Sequence, residues 1–239
     1  MSAQTCTFGP FRLYVRQHQL VCDRRAIALR GKVFDILRQF IQEQVDQLPP
    51  AEQEIVEAAS VAGIEFCVSA VAAALNRPLP EIETQCATMA QAGRFFASAG
   101  WSCWPDGTVC QRYCFIYSLY CEVIYKRLAA GQRARWHLRI GVRLERALAG
   151  LKEQAAPELA HHFQRGCDAR RAIHYLKQAA QQCLERGTAA DAVRNVASGL
   201  ELLPQIPEQE ERRRLVLELR GQYRKARELM GSHHPSGII

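Results

Sequence analysis

Residues 8–29 alternate apolar and polar positions with short breaks: Phe8, Phe11, Leu13 and Val15, then Leu20 and Val21, then Ala26, Ile27 and Leu29. A period of two predicts two or three short antiparallel strands. After Gly31 the period lengthens. Val33, Ile36, Leu37, Phe40 and Ile41 fall on one face of a helix. Pro49 and Pro50 suit a first helical turn and announce a new helix over residues 51–62, with Ile55, Val56, Ala59 and Ala62 inward. Gly63 ends it. A second helix is predicted over residues 68–75 and a third over 80–92, the latter burying Ile82, Cys86 and Met89 and stopping at Gly93. Residues 94–99 and 108–115 then read as strands joined through Trp104-Pro105-Asp106-Gly107, a strong turn signal. Three helices followed by a hairpin predict a winged helix.

Helices are predicted over 117–128 and 132–148, then over 157–165, 168–186, 189–203 and 208–230, with breaks at Gly166, Gly187 and Pro204 to Pro207. Ala172, Ile173, Leu176, Ala180 and Cys183 recur about twenty residues later as Ala192, Val193, Val196, Leu200 and Leu203. Recurrent small residues at helix crossings suggest stacked hairpins of the tetratricopeptide kind, although the tryptophan and proline positions of that motif are not kept. The expected fold is mainly α, with a small N-terminal β-sheet, a central winged helix and C-terminal TPR-like helical hairpins. The expected division is 1–43, 44–150 and 151–231, followed by a disordered tail over 232–239.

Two stretches carry a resemblance. FGPFRLYVRQHQLVCDRRAIALRGKVFDILRQFI, through Phe8 to Leu13, Leu29, Lys32, Phe34, Asp35 and Leu37, resembles the opening of the OmpR/PhoB-type winged-helix domain. QVDQLPPAEQEIVEAASVAGIEF, RYCFIYSLYCEVIYKRL, RARWHLRIGVRLE and ELAHHFQRGCDARRAIHYLKQAA resemble the region behind the nucleotide-binding domain of STAND-type signalling ATPases, as in MalT-like bacterial regulators. That second resemblance spans about residues 44–203. It implies a regulator of transcription or signalling from which the base-reading helix of the first domain and the whole ATPase are missing, hence a shortened relative. In that group an arginine commonly precedes the phenylalanine at position 115 and a histidine follows it by two; Cys114 and Tyr117 stand there instead. Either a nucleotide-sensing contact is lost, or both are variable packing sites.

Chemistry narrows the picture. No GxxxxGK[ST] loop is present to surround a triphosphate, and Gly31-Lys32 lacks the earlier glycine and is followed by valine. The ten cysteines contain no CxxC pair; the densest group, Cys103, Cys110, Cys114 and Cys121, lacks zinc-site spacing, and all are read as reduced thiols. His161 and His162 are adjacent, so only one can point inward, and Asp106 sits in a turn sequence. No base or elbow motif accompanies a serine or cysteine nucleophile. No catalytic residue, metal or cofactor is therefore assigned, and no enzymatic activity is expected.

Thirty-one Lys and Arg against 24 Asp and Glu give a formal charge of +7, which permits a phosphate-bearing or acidic partner. Lys126, Arg127, Arg133, Arg135, Arg139 and Arg143 are the candidate contacts for one; a second basic group runs from Arg212 to Arg227. Interleaved glutamates make solvated helix faces the competing reading. No apolar run approaches the ~18 residues of a membrane span, and Met1 to Phe8 lacks the features of a signal peptide, so a cytoplasmic location is expected. On the hairpins, His174, Lys177, Gln178 and Gln181 should remain available to a protein partner. An uncapped stack would favour a homodimer. The expected function is a non-enzymatic regulatory and protein-interaction module in signal transduction or transcription. The alternative is a DNA-binding regulator acting through the winged helix and basic helices.

Overall fold

The computed structural model describes the strand backbones of residues 5–8, 11–14, 19–22 and 25–28, then residues 31–151 and 153–232, with side chains over 37–151 and 153–230. The inward faces proposed for the first strands and most of the C-terminal tail lie outside the described residues. Two compact units divide the chain, residues 1–140 and 141–239. The chain is mainly α, as its periodicity predicts. Among the described residues no helix is long and apolar enough to cross a membrane.

The first unit opens with a four-stranded antiparallel meander: β1 (Thr5–Phe8), β2 (Phe11–Tyr14), β3 (Gln19–Cys22) and β4 (Arg25–Ala28), with pairings Phe8↔Phe11, Leu13↔Leu20 and Leu20↔Ile27. That is one strand more than the upper expectation. Helix α1 (Gly31–Asp46) follows.

The winged-helix body then runs α2 (Pro50–Ala62), β5 (Glu65–Cys67), α3 (Val68–Leu75), α4 (Leu79–Gln91), β6 (Phe96–Cys103) and β7 (Val109–Phe115). Proline occupies the first turns of α2 and α4, where its missing N–H costs nothing. Asn76 closes α3 at φ 56, a left-handed position that asparagine tolerates. The sheet order is β5-β7-β6, all antiparallel, with Phe66↔Tyr113 and Phe96↔Phe115 in register. Phe66, Phe96, Tyr113 and Phe115 meet inside; ring centroids lie 5.0 Å apart for Phe66–Phe96 and 5.1 Å for Phe96–Phe115. Edge-to-face pairs of this kind add ~0.5–1.5 kcal/mol beyond area burial.

Strand β5 is absent from the sequence reading, because three residues carry no period of their own. The reduced-thiol reading is corrected at two positions. Cys67, at the β5–α3 junction, is disulfide-bonded to Cys110 on β7, with Cα atoms 6.5 Å apart. Two strands far apart in sequence become neighbours in the sheet, and that pairing brings the sulfurs together.

Helices α5 (Ser118–Arg127) and α6 (Ala130–Ala147) come next; the boundary between the units falls inside α6. The second unit continues with α7 (Ala156–Arg165), α8 (Ala169–Glu185), α9 (Ala189–Leu202), a 3-10 turn at Leu203–Gln205 and α10 (Gln209–Ser232). Consecutive helices pack as hairpins. Asp168 caps α8 by accepting from the Arg171 N–H at 3.0 Å. Ala172, Ile173, Leu176 and Ala180 are buried as expected, and Cys183 is half-buried. Small residues bring helices close: a Cβ on Gly141 would stand 3.2 Å from Phe163, and one on Gly199 3.1 Å from Leu219. Helix α10 covers the end of the stack through Leu215, Leu219 and Ala226. The motive for dimerising through an open apolar end therefore falls away.

Candidate functional site

In a winged helix that reads DNA, a helix and a wing must present donors to base edges and cations to phosphates. Helix α4 occupies the third-helix position, yet its sequence, LPEIETQCATMAQ, holds two glutamates and no Lys or Arg. Its exposed threonines turn inward on the backbone: Thr84 Oγ1 donates to the Pro80 carbonyl at 2.9 Å, and Thr88 Oγ1 to that of Thr84 at 3.0 Å. Arg77, just before α4, is paired with Glu81 at 2.5 Å.

The wing is equally poor in cations. From Phe95 to Gln111 there is no Lys or Arg, and Asp106 is the only charged residue. Asp106 Oδ1 accepts from the Thr108 N–H at 3.0 Å, and Gly107 sits at φ +83, so the turn is self-contained. In the β6–β7 register Trp101 faces Gln111 and Cys103 faces Val109. Alternation places these four on one face, of which Trp101 is 69% and Val109 57% exposed. A wing without a cation and with an exposed indole suits a protein surface better than a phosphate backbone.

The basic residues singled out from the sequence are largely engaged within the chain. Lys126 pairs with Glu122, and Arg127 binds Asp46 at 2.8 Å and Glu57 at 3.3 Å. Arg133 lies over the Tyr125 ring at 5.1 Å. Arg139 donates to the Ala74 carbonyl at 2.7 Å, at the C-terminal end of α3 where carbonyls lack helical partners. Arg135 is exposed and Arg143 half-buried. Arg127 and Arg139 brace neighbouring elements, Lys126 and Arg133 are engaged locally, and Arg135 is left exposed.

The hairpin candidates divide. His174 and Gln181 are exposed, and Gln181 donates to Glu185 at 2.9 Å. Lys177 pairs with Glu218 on α10, and Gln222 of α10 donates to the Lys177 carbonyl at 3.0 Å. The Gln178 amide oxygen is buried. Helix α10 thus engages Lys177, and Gln181 lines a cleft with Lys225, Glu228 and Leu229 of the same helix.

A cleft of about 520 Å³ in the first unit is lined by Gln44, Gln47, Arg94, Phe95, Tyr117 and Tyr120, among others. Phe95 holds the left-handed conformation at φ 56, bending the chain between α4 and β6. Tyr117, in the position where the resemblance leads one to look for histidine, stands edge-on to Tyr120 at 5.3 Å. Burial, followed by the neighbouring Tyr117, raises the Tyr120 phenol above its usual range. Among the described residues no group of three or more His, Cys, Asp or Glu is arranged to hold a metal. No family profile, no curated protein and no solved structure matches the chain.

Proposed function

We propose that this chain is a regulatory protein-interaction module, a relative of the bacterial regulators whose rear half it resembles, and that its winged helix contacts protein rather than DNA bases. The observation that carries this reading is the surface chemistry of the third helix and wing: Glu81 and Glu83 without a cation on α4, and exposed Trp101 and Val109 on the wing. Exposed indoles are favoured at protein interfaces because they bury much area at little rotamer cost. Direct base readout is poorly supported for the same reason, since α4 carries no Lys or Arg to meet a guanine edge and its one exposed amide, Gln91, stands at the last residue of the helix. The absence of a phosphate-binding loop supports a module that does not hydrolyse ATP.

A photo-crosslinking residue placed at Trp101, and separately at Thr84, tests the assignment in living cells. The expected result is a discrete protein adduct from position 101. DNA adducts from either position, or none from 101, would overturn it. Calorimetric titration with ATP is expected to show no binding; tight binding with turnover would refute the non-enzymatic reading.

A further inference from the structure

Helix α10 separates its charges by face. Its inward side carries Leu215, Leu219 and Ala226 against the stack. Three of the five acids on and just before it are drawn to that side. Glu208 and Glu211 both pair with Arg170, and Glu218 pairs with Lys177, all across to α8. At 100° per residue, Arg213, Leu217, Arg220, Arg224 and Arg227 fall within about 40° of one line, opposite the buried face. All five are exposed, Leu217 at 72%. Among the described residues no carboxylate pairs with any of these four arginines. Glu210 and Glu228 stand beside the line but not on it. The first and last guanidinium-bearing positions are about 21 Å apart along the axis. Tyr223, 40% exposed, flanks the line between Arg220 and Arg224.

A straight row of four arginines with no carboxylate paired to it is electrostatically incomplete. A solvated helix face usually interleaves acids at i+3 or i+4, as α10 itself does where Arg214 meets Glu218 at 3.8 Å. Along the exposed row Glu210 and Glu228 stand one turn from Arg213 and Arg224 without pairing with them, and Arg220 and Arg227 have no acid at that spacing. We propose that this row binds the phosphodiester backbone of single-stranded nucleic acid, independently of sequence, a surface separate from the winged helix and additional to the protein contact proposed above. Guanidinium forks match phosphate oxygens bidentately. A straight 21 Å row follows an extensible single strand, whereas a duplex backbone curves away from it. Tyr223 and Leu217 offer flanking surfaces on which an unpaired base can stack or pack.

Fluorescence anisotropy of a labelled dT12 with the full chain, across a salt series, tests this. Binding is expected with Kd on the order of 10 µM at low salt, and log K is expected to fall against log salt with a slope of about −3 for four phosphate contacts. The double variant Arg220→Ala, Arg224→Ala should lower the slope to about −1.5 and weaken binding at least tenfold. Tyr223→Ala should weaken binding without changing the slope, because it removes stacking and no charge. These are surface positions, and an unchanged melting curve confirms that each variant is folded. Three results would overturn the proposal: no dT12 binding at 50 mM salt, a 12-base-pair duplex binding more tightly than dT12, or vesicles containing phosphatidylserine or poly-Glu competing as well as dT12 does. The crosslinks at Trp101 lie in the other unit and are read independently, so either idea can fail without the other.

Discussion

The winged-helix body and the hairpin stack are held together by different means. In the body, four aromatic rings close over a three-stranded sheet, and Cys67–Cys110 ties its outer strand to its middle one. In the stack, alanines and glycines let helices approach, a stacked Phe163–Tyr175 pair fills the centre, and ion pairs lace neighbouring helices at the surface. One region depends on contacts between residues distant in sequence; the other depends on contacts between successive helices. They should therefore answer differently to redox conditions and to pH. The sequence supplies the means to watch them apart, because all three tryptophans, Trp101, Trp104 and Trp136, lie in the first unit and none in the second.

The largest expected effect separates the regions by redox. Replacing Cys67 and Cys110 together by serine opens a loop closed over 43 residues and should cost the first unit about 4 kcal/mol. Urea unfolding followed by tryptophan fluorescence should show the loss, while the helical signal of residues 141–239 keeps its midpoint. A common shift in both signals would mean that the two regions unfold as one.

Acid should act first on the stack. His162 is buried, and burial, followed by neighbouring His161, lowers its pKa to about 3. The unfolded chain protonates near the ordinary ~6.5. Between those values the unfolded state binds the additional proton, so stability falls as pH drops, by up to about 1.4 kcal/mol per unit, and is fully present above ~6.5. From pH 6.5 to 5 that amounts to about 2 kcal/mol. His162→Gln should flatten the pH profile of the stack; an unchanged slope would show that other groups govern it.

Packing in the stack is probed at Gly199, which abuts Leu219. Gly199→Leu should overpack the α9–α10 crossing and cost about 2 kcal/mol, read by thermal unfolding of the helical signal. The smallest effect has the opposite sign. Cys167 is exposed and held at φ 60 between α7 and α8. Cys167→Gly should relieve that backbone and stabilise by about 0.5–1 kcal/mol. A loss of stability would show that the thiol makes a contact outweighing the strain.

The same contrast explains what the sequence discloses. Every helix from α2 onward is legible to within about two residues, because period, proline and glycine are local signals. Strand β5 is not, since Glu65 to Cys67 becomes a strand only by pairing with residues 112–114. The Cys67–Cys110 bond is illegible for the same reason. On α8 the buried face follows from periodicity, but the engagement of Lys177 depends on where α10 returns. The arginines of α10 are visible in the sequence as a cluster. Their segregation is not, because it depends on Glu208, Glu211 and Glu218 turning to partners on α8.

Strand β6 is the edge of its sheet and spells FASAGWSC, without a charge or a proline to repel a second strand. Its protection is geometric. The pairing with β7 slips between Ser98 and Trp101, and Gly100 supports the slip at φ +89. A bulged edge twists away from the flat line that another strand would need. The resistance of this edge to strand addition therefore rests on a residue with no side chain. Gly100→Val would supply a β-branched residue and remove the conformation that sustains the irregularity, and the resulting smooth, uncharged border would seed fibrils at concentrations where the parent chain stays clear.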